Sequence, residues 1–551
     1  MTAIADAPVG TAPAAGSPRH FAGTGTLLRL ALRRDRVMLP VWVLMLGLST
    51  ASTTSRIDAL YSTAAKRADL VRDTNGAGST RALFGPAFDS SLGALTVWRT
   101  AGFLTVAAAI LSVLLVVRHT REEEETGRQE ALASGMVGRR AGLTSALITI
   151  AIANAGLTVL TTGSLAGEGG AGALAFGLAV GLIGMVFGGI AAIAAQLTEN
   201  ARLARGMAFG ALGAAFVLRM AGDAAEDATE GSGHFLVWLS PLGWAEAVRP
   251  FADERWWALG LLAVAAAALV TVAYTLVARR DIGTGFWPSR PGPAAAGPAL
   301  SGVYGLAWRL QRGSLIGWAV GFAFSGVILG SITDGADDII GDSERAREIF
   351  ERMGGQEGLA DAFLAAMVSS LGLAAAVYTA SSVLRLRGEE TDQRAEPLLA
   401  NAVGRLRWAG SHLVIAYLGP AVVLAVGGLA LGIGYGAAAG DVAGELPPAV
   451  GAALAQLPAV WVLTGVAVFI YGLLPQLTSL TWGIVGAVVA LGWIGPSVDV
   501  PQPVMNCSPF GHLPKLPGGD VSPTPLLWLT ALSAVLLVAG LMGLRRRDMT
   551  S

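Results

Sequence analysis

Apolar residues in this chain do not alternate with polar ones; they gather in long blocks, and the charges collect between the blocks. A helix crossing the hydrocarbon core of a bilayer needs about 20 mostly apolar residues. By that measure spans fall at about 37–55, 100–117, 143–162, 173–195, 206–221 and 257–277, then at about 314–332, 362–384, 412–437, 450–474, 480–494 and 524–544. The pattern predicts an all-α polytopic membrane protein of about 12 transmembrane helices. Ahead of the first block, Leu27, Leu28, Leu30 and Ala31 interleave with Arg29, Arg33, Arg34 and Arg36. Such a basic amphipathic helix lies in the membrane surface, apolar face down and arginines toward the headgroups.

The polar stretches repeat. RHTREEEETGRQEALASGMVGRR at 118–140 returns about 266 residues later as RLRGEETDQRAEPLLANAVGRLR at 385–407. With one residue inserted in the second copy, Glu125 and Thr126 fall on Glu390 and Thr391, Glu130 on Glu396, Leu132 on Leu398, and Val137-Gly138-Arg139 on Val403-Gly404-Arg405. Glu124 with Arg128, and Glu390 with Arg394, stand acid before base at the i,i+4 spacing that supports a helix. Gly135 and Asn401 share one aligned position and are the residue types that tolerate the left-handed closure of a helix. Pro397 fits the first turn of a second short helix, where its missing N–H costs nothing.

Smaller echoes extend the duplication. Pro475-Gln476-Leu477-Thr478 follows Ala195-Gln196-Leu197-Thr198, SPFGH at 508–512 follows SPLGW at 240–244, and Arg546-Arg547-Asp548 follows Arg279-Arg280-Asp281. A basic entry with Arg309 and Arg312 before Trp318 matches Arg33 and Arg36 before Trp42. The expected organisation is a disordered tail at 1–20, a six-span half at 21–281, a Pro/Gly/Ala linker at 282–300 and a second six-span half at 301–551. The two halves are parallel and pseudo-equivalent. The segment at about 56–98 is long and polar enough for short helices of its own.

Composition agrees with a membrane protein: of 551 residues 53% are hydrophobic and 14% charged, where a soluble domain carries roughly 25% charged residues. A net charge of -1 offers no basic face for nucleic acid. The lone cysteine, Cys507, excludes an intrachain disulfide and a Cys-rich metal site. Arginine bias between spans sets the side that faces inward. Both termini, both repeated segments and the linker are expected on the cytoplasmic side of the cell inner (plasma) membrane. The long basic-containing loop before the second span is the one departure.

The spans hold few carboxylates, and Arg219 and Asn154 are their main polar residues. Ion coupling of a secondary carrier therefore lacks its usual intramembrane acids. A membrane-embedded transferase would have to use the acidic pair Asp337 and Asp338, which lies among other acids with no histidine near. The remaining class takes its energy from a partner outside the membrane. No G-x-x-x-x-G-K-[ST] phosphate loop occurs in the chain.

The entry helix, the E-E-x-T-G-R-like segment after the second span, six spans per half, and the SPLGW and SPFGH segments before each last span together resemble ABC-2-type export permeases. The tandem form is similar to the actinobacterial permeases of the tetronasin type, exporters of polyketide antibiotics. The resemblance implies a type V ABC exporter-like fold with amphipathic elbow helices and cytoplasmic coupling helices. It implies efflux of hydrophobic or amphipathic drugs, and ATP with Mg bound by a partner rather than by this chain. That partner would be a homodimeric ABC ATPase, two copies per permease. Carried over by residue, the ATPase-coupling positions are Glu122, Glu123, Glu124, Glu125, Glu130, Leu132, Gly135 and Met136, then Glu389, Glu390, Glu396, Leu398 and Asn401. The implied substrate path runs between the halves past Phe103, Met207, Phe209, Phe216, Arg219, Met367 and Trp482, whose aromatic and thioether groups give adaptable apolar contact.

Overall fold

The computed structural model describes residues 18–76, 78–127, 137–224, 234–281, 283–288, 292, 294–300, 302–333, 359–401, 403–493, 501–519 and 522–548. Among the described residues the regular elements are all helices, and the one extended pairing is an isolated parallel bridge between Thr198 and Trp287. Among the described residues, eleven helices are long and apolar enough to cross a membrane. The chain divides into two compact units, Met1–Pro291 and Gly292–Ser551, each described by itself.

The first unit begins with α1 (Thr24–Arg34), which ends in Arg33 and Arg34, and continues through a break at Asp35 into α2 (Met38–Leu60). Two short helices follow, α3 (Ala64–Gly76) and α4 (Gly78–Phe84), within the polar stretch that was long enough to hold them. Next come α5 (Leu92–His119), α6 (Arg121–Glu125), α7 (Ala141–Leu165), α8 (Gly170–Leu197) and α9 (Ala201–Ala224). After α10 (His234–Trp238) the SPLGW segment caps and opens α11 (Pro241–Glu246), and α12 (Trp256–Arg279) completes the unit. The hydroxyl of Ser91 accepts a hydrogen bond from the Ala94 N–H, so α5 starts at Leu92, well before the apolar block at 100.

Helix α8 is the centre of this unit, buried along most of its length and packed by α5, α7, α9 and α12. Its composition explains the position. Gly177, Gly181, Gly184 and Gly188 lie against α7, where an added methyl would run into Thr162, Thr158, Asn154 and Ile150 in turn. Small residues that let helix backbones approach are the usual packing device in lipid, where burial supplies little drive. The carboxamide of Asn154 adds hydrogen bonds to Ser112 Oγ at 3.0 Å and to the Ile150 carbonyl at 2.9 Å. It therefore ties α7 to α5.

The second unit comprises α13 (Val303–Thr333), α14 (Leu359–Thr391), α15 (Glu396–Leu399), α16 (Arg405–Ala439), α17 (Val442–Leu454), α18 (Leu457–Leu473), α19 (Leu480–Trp493), α20 (Gln502–Met505) and α21 (Pro523–Arg546). Helix α13 packs along α16, α18 along α21, and α14 touches α16, α18 and α19.

Two expectations need correction. The second basic entry is no separate elbow: Arg309 and Arg312 lie inside the continuous helix α13, because Gln311 stands where Asp35 breaks the first copy. The tenth span is two helices joined at Ala455 and Gln456, ahead of Leu457 and Pro458. The eleventh block forms α19 as expected over Leu480–Trp493, and residues 494–500 lie outside the described residues. The boundary between the units falls inside the expected 282–300 linker, where the backbone N–H groups of Phe286 and Trp287 donate to the Gln196 and Leu197 carbonyls.

Candidate functional site

The charged segment after the second span is drawn into the first unit. Glu124, buried at the α6 turn, lies between two guanidinium groups. Arg280, just past α12, grips it with two bonds, Nη1 to Oε2 at 2.9 Å and Nη2 to Oε1 at 2.5 Å. Arg121 Nη1 adds a third bond at 2.8 Å. Both arginines then spend their remaining N–H groups on main chain and amide acceptors. Arg121 reaches the Ala195 carbonyl at 2.9 Å, Arg280 Nε reaches Gln196 Oε1 at 2.5 Å, and both donate to the Thr284 carbonyl. One carboxylate thus fastens the ends of α5, α8 and α12. Removing one partner of such a buried pair costs about 3–5 kcal/mol, because the other charge stays behind.

The neighbouring glutamates each hold a different element. Glu122 pairs with Arg205 of α9 at 3.1 Å, and Glu123 pairs with Arg34 of α1. Glu125 accepts from the Ala201 N–H at 3.1 Å, at the N-terminus of α9, where the helix dipole favours a carboxylate. Behind them Asp35, fully buried, forms an ion pair with Arg118 at 2.8 Å and faces His119 Nε2 at 2.5 Å. This latch fixes the break between α1 and α2.

The second unit repeats the clasp with different chemistry. Glu390 Oε2 accepts from Arg547 Nη2 at 2.7 Å and from the Tyr471 hydroxyl at 2.9 Å, and Arg547 stands 4.8 Å from the centre of the Tyr471 ring. Glu389 is buried beside it, 3.6 Å from Arg385 and 3.5 Å from Arg394. The repeated V-G-R arginines take the same role in both units: Arg139 donates to the Arg280 carbonyl, and Arg405 donates to the Arg547 carbonyl at 2.7 Å. The copies differ in completeness. Glu390 Oε1 and Arg547 Nε and Nη1 are buried without hydrogen-bond partners, whereas Gln196 and Thr284 satisfy the first clasp. Where Asp35 sits in the first unit, Gln311 here bonds Ser382 at 2.5 Å and His412 at 3.1 Å, a latch without an ion pair.

Several expected details differ. Glu390 does not pair with Arg394, since α14 ends at Thr391 and Gln393 turns left-handed with φ 59°. Gly127 has φ 71°. Placing the inserted residue at Asp392 aligns these two breaks. Asn401 does not supply the left-handed turn; its Nδ2 donates to the Pro397 carbonyl at 2.7 Å, while Pro397 does occupy the first turn of α15. Glu396 is exposed there and Leu398 packs partly into the core. Glu130, Leu132, Gly135 and Met136 lie outside the described residues, as do Arg128, Asp337 and Asp338.

The substrate-path residues separate into groups. Phe103 and Trp482 are exposed, Met207 and Phe209 pack partly on the first core, and Met367 packs on the second. Phe216 and Arg219 line a pocket of the first unit, at the end of α5, α8 and α9 remote from the clasp. Arg219 is buried and engaged: Asp223 at 2.9 Å, Glu246 at 3.2 Å, and the Ala82 and Leu83 carbonyls at 3.2 and 2.9 Å. Asp223 thus lies within α9, two residues past the expected end of that span. Beside the pocket Arg249 lies over the Phe88 ring at 4.4 Å. Burial, and then the neighbouring Arg255, pushes its guanidinium below the ordinary value.

Sequence reasoning missed Asp35, His119, Arg121 and Tyr471 as partners. It did expose Arg139 with Arg405 and Arg280 with Arg547 as repeated positions, without their contact. No cluster of three or more His, Cys, Asp or Glu side chains able to hold a metal occurs among the described residues.

A helical bundle with this many apolar helices among the described residues defines a polytopic membrane protein. Over 542 residues the chain is 46% identical to the multidrug efflux system permease protein Rv1217c of Mycobacterium tuberculosis (strain ATCC 25618 / H37Rv), covering 98% of this chain and 97% of that protein. Residues 300–545 match the family model described as the C-terminal domain of multidrug efflux system permease Rv1217c. The chain belongs to this family of multidrug efflux permeases.

Proposed function

We propose that this chain is the membrane permease of an ATP-driven, ABC-2-type exporter of hydrophobic and amphipathic compounds, antibiotics among them, with ATP and Mg held by a separate homodimeric ATPase. The observation that carries the reading is the duplicated clasp. In each unit a buried glutamate after the second span is bound to the arginine that follows the last span. A push on the loop after α6 would reach α5, α8 and α12 together, as a coupling segment requires. Two such segments per chain fit two ATPase subunits.

The test is the double variant Glu130→Ala, Glu396→Ala. Glu396 is exposed, and surface substitutions change stability by no more than about 0.5 kcal/mol, so membrane abundance should be retained while ATP-driven drug efflux falls at least fivefold. Wild-type efflux would sink the coupling assignment. The permease purified alone should hydrolyse no ATP, since its sequence holds no G-x-x-x-x-G-K-[ST] phosphate loop.

A second reading, an ion-coupled carrier, draws on one observation: Asp223 and Glu246 share Arg219 at the end of α9. The readings part when an uncoupler collapses the proton gradient at constant ATP. Export by the ATPase persists under that treatment, and ion-coupled export stops.

A further inference from the structure

The pocket at the end of the first unit remote from the clasp has no part in the coupling just described. It is walled by the rings of Phe84, Phe88, Trp98, Phe176 and Phe216 and opens at its mouth. Small-molecule sites are typically concave and apolar, with few polar groups.

The walls are held in place from behind. Arg99 lies 4.3 Å from the Phe84 ring centre, Arg249 4.4 Å from Phe88, and Arg219 5.2 Å from Phe216, while the Trp98 indole N–H is fixed to the Gly85 carbonyl at 2.9 Å. The charged groups that reach the lining, Arg219 and Glu246, are bound to each other, and Arg219 is further bound to Asp223 and two carbonyls. A charged guest would lose its hydration and gain no uncommitted counter-charge from this pair. Ring-bearing apolar guests lose little and gain offset or edge contacts with fixed aromatic faces.

We infer that this pocket is a binding site within the first unit for an uncharged, ring-bearing lipophile. That such a ligand is export cargo rests on the proposed function; that it binds rests on the pocket alone.

Gly102 gives a specific block. It lines the pocket, and a Cβ there would meet only the Leu83 carbonyl, at 3.9 Å. Gly102→Phe therefore fills the space without disturbing the backbone. Gly210→Phe, at an exposed position of α9 with nothing near its Cβ, is the matched control. The purified full-length permease in nanodiscs is irradiated with an uncharged diazirine-bearing naphthalene, and adducts are mapped by mass spectrometry. A diazirine-bearing phospholipid is run in parallel.

The expected result is naphthalene labelling at the Phe84–Val106 and Phe216–Pro250 lining, suppressed at least tenfold by excess unlabelled naphthalene. Gly102→Phe should abolish it and Gly210→Phe preserve it. Labelling of the lining by the phospholipid probe that naphthalene does not displace would overturn the proposal, since a bilayer lipid would then fill the pocket. So would naphthalene labelling unaffected by Gly102→Phe, or stronger labelling by a cationic analogue. Efflux is not the readout here, so failure of the site and failure of the export reading are told apart.

Discussion

Glu124 is held by two arginines whose N–H groups are matched to acceptors, while Glu390 is held by Arg547 and a tyrosine with buried donors left over. A satisfied ionic network suffers more from deletion than one already short of partners. Arg280→Gln should therefore cost about 3–5 kcal/mol, and Arg547→Gln distinctly less. Thermal unfolding of the purified permease in one detergent checks this, and equal losses of Tm would count against the difference. At this scale the sequence was partly legible. Repetition marked the V-G-R and R-R-D arginines as special, but their contact spans 141 or 142 residues and follows from packing that spacing does not encode. Asn401 misled for a related reason: its residue type permits a left-handed turn, yet its carboxamide found the Pro397 carbonyl first.

Among the elements, the apolar blocks gave nearly every span because lipid demands continuous apolar helix. Their ends were less legible, since charged residues carry a helix on when partners wait for them. Helix α14 runs through Glu389 and Glu390 to Thr391 in this way. The difference between α1 followed by α2 and the unbroken α13 was only partly legible: Asp is a poorer helix former than Gln, but the partners that hold Asp35 and Gln311 come from other helices. The α7–α8 contact offers a sharp test. Leucine at Gly184 would place its side chain on Asn154, separating two helices that also carry the Ser112 bond. Overpacking of a close interface costs about 1–3 kcal/mol or more. Gly184→Leu should reduce folded protein on size-exclusion chromatography, whereas Gly210→Leu, on open surface, should not.

For the whole molecule, the expected orientation makes Cys507 a reporter needing no engineering. Its thiol is exposed and lies in the segment between α20 and α21. A membrane-impermeant maleimide should modify it in intact cells, and labelling confined to inverted vesicles would reverse the orientation. The proposed assembly fixes a second measurement: the mass of the detergent-solubilised complex should equal one permease with two ATPase chains. A one-to-one mass would leave one repeated segment without a partner. Tandem organisation was the most legible feature at this scale, because duplication leaves marks in sequence that tertiary contacts do not.

The unlike latches, Asp35 with Arg118 and His119 against Gln311 with Ser382 and His412, have a consequence for inheritance. In a transporter assembled from two identical half-sized subunits, each residue change appears twice in every assembly, so it must suit both places at once. Here translation delivers the halves in a fixed pair, and each change is made once. Selection can then keep an ionic hinge in one half and a neutral one in the other, and an aromatic pocket in one half with no obligation to retain its twin. The chain has given up the economy of a shorter gene and gained the freedom for its two copies to specialise.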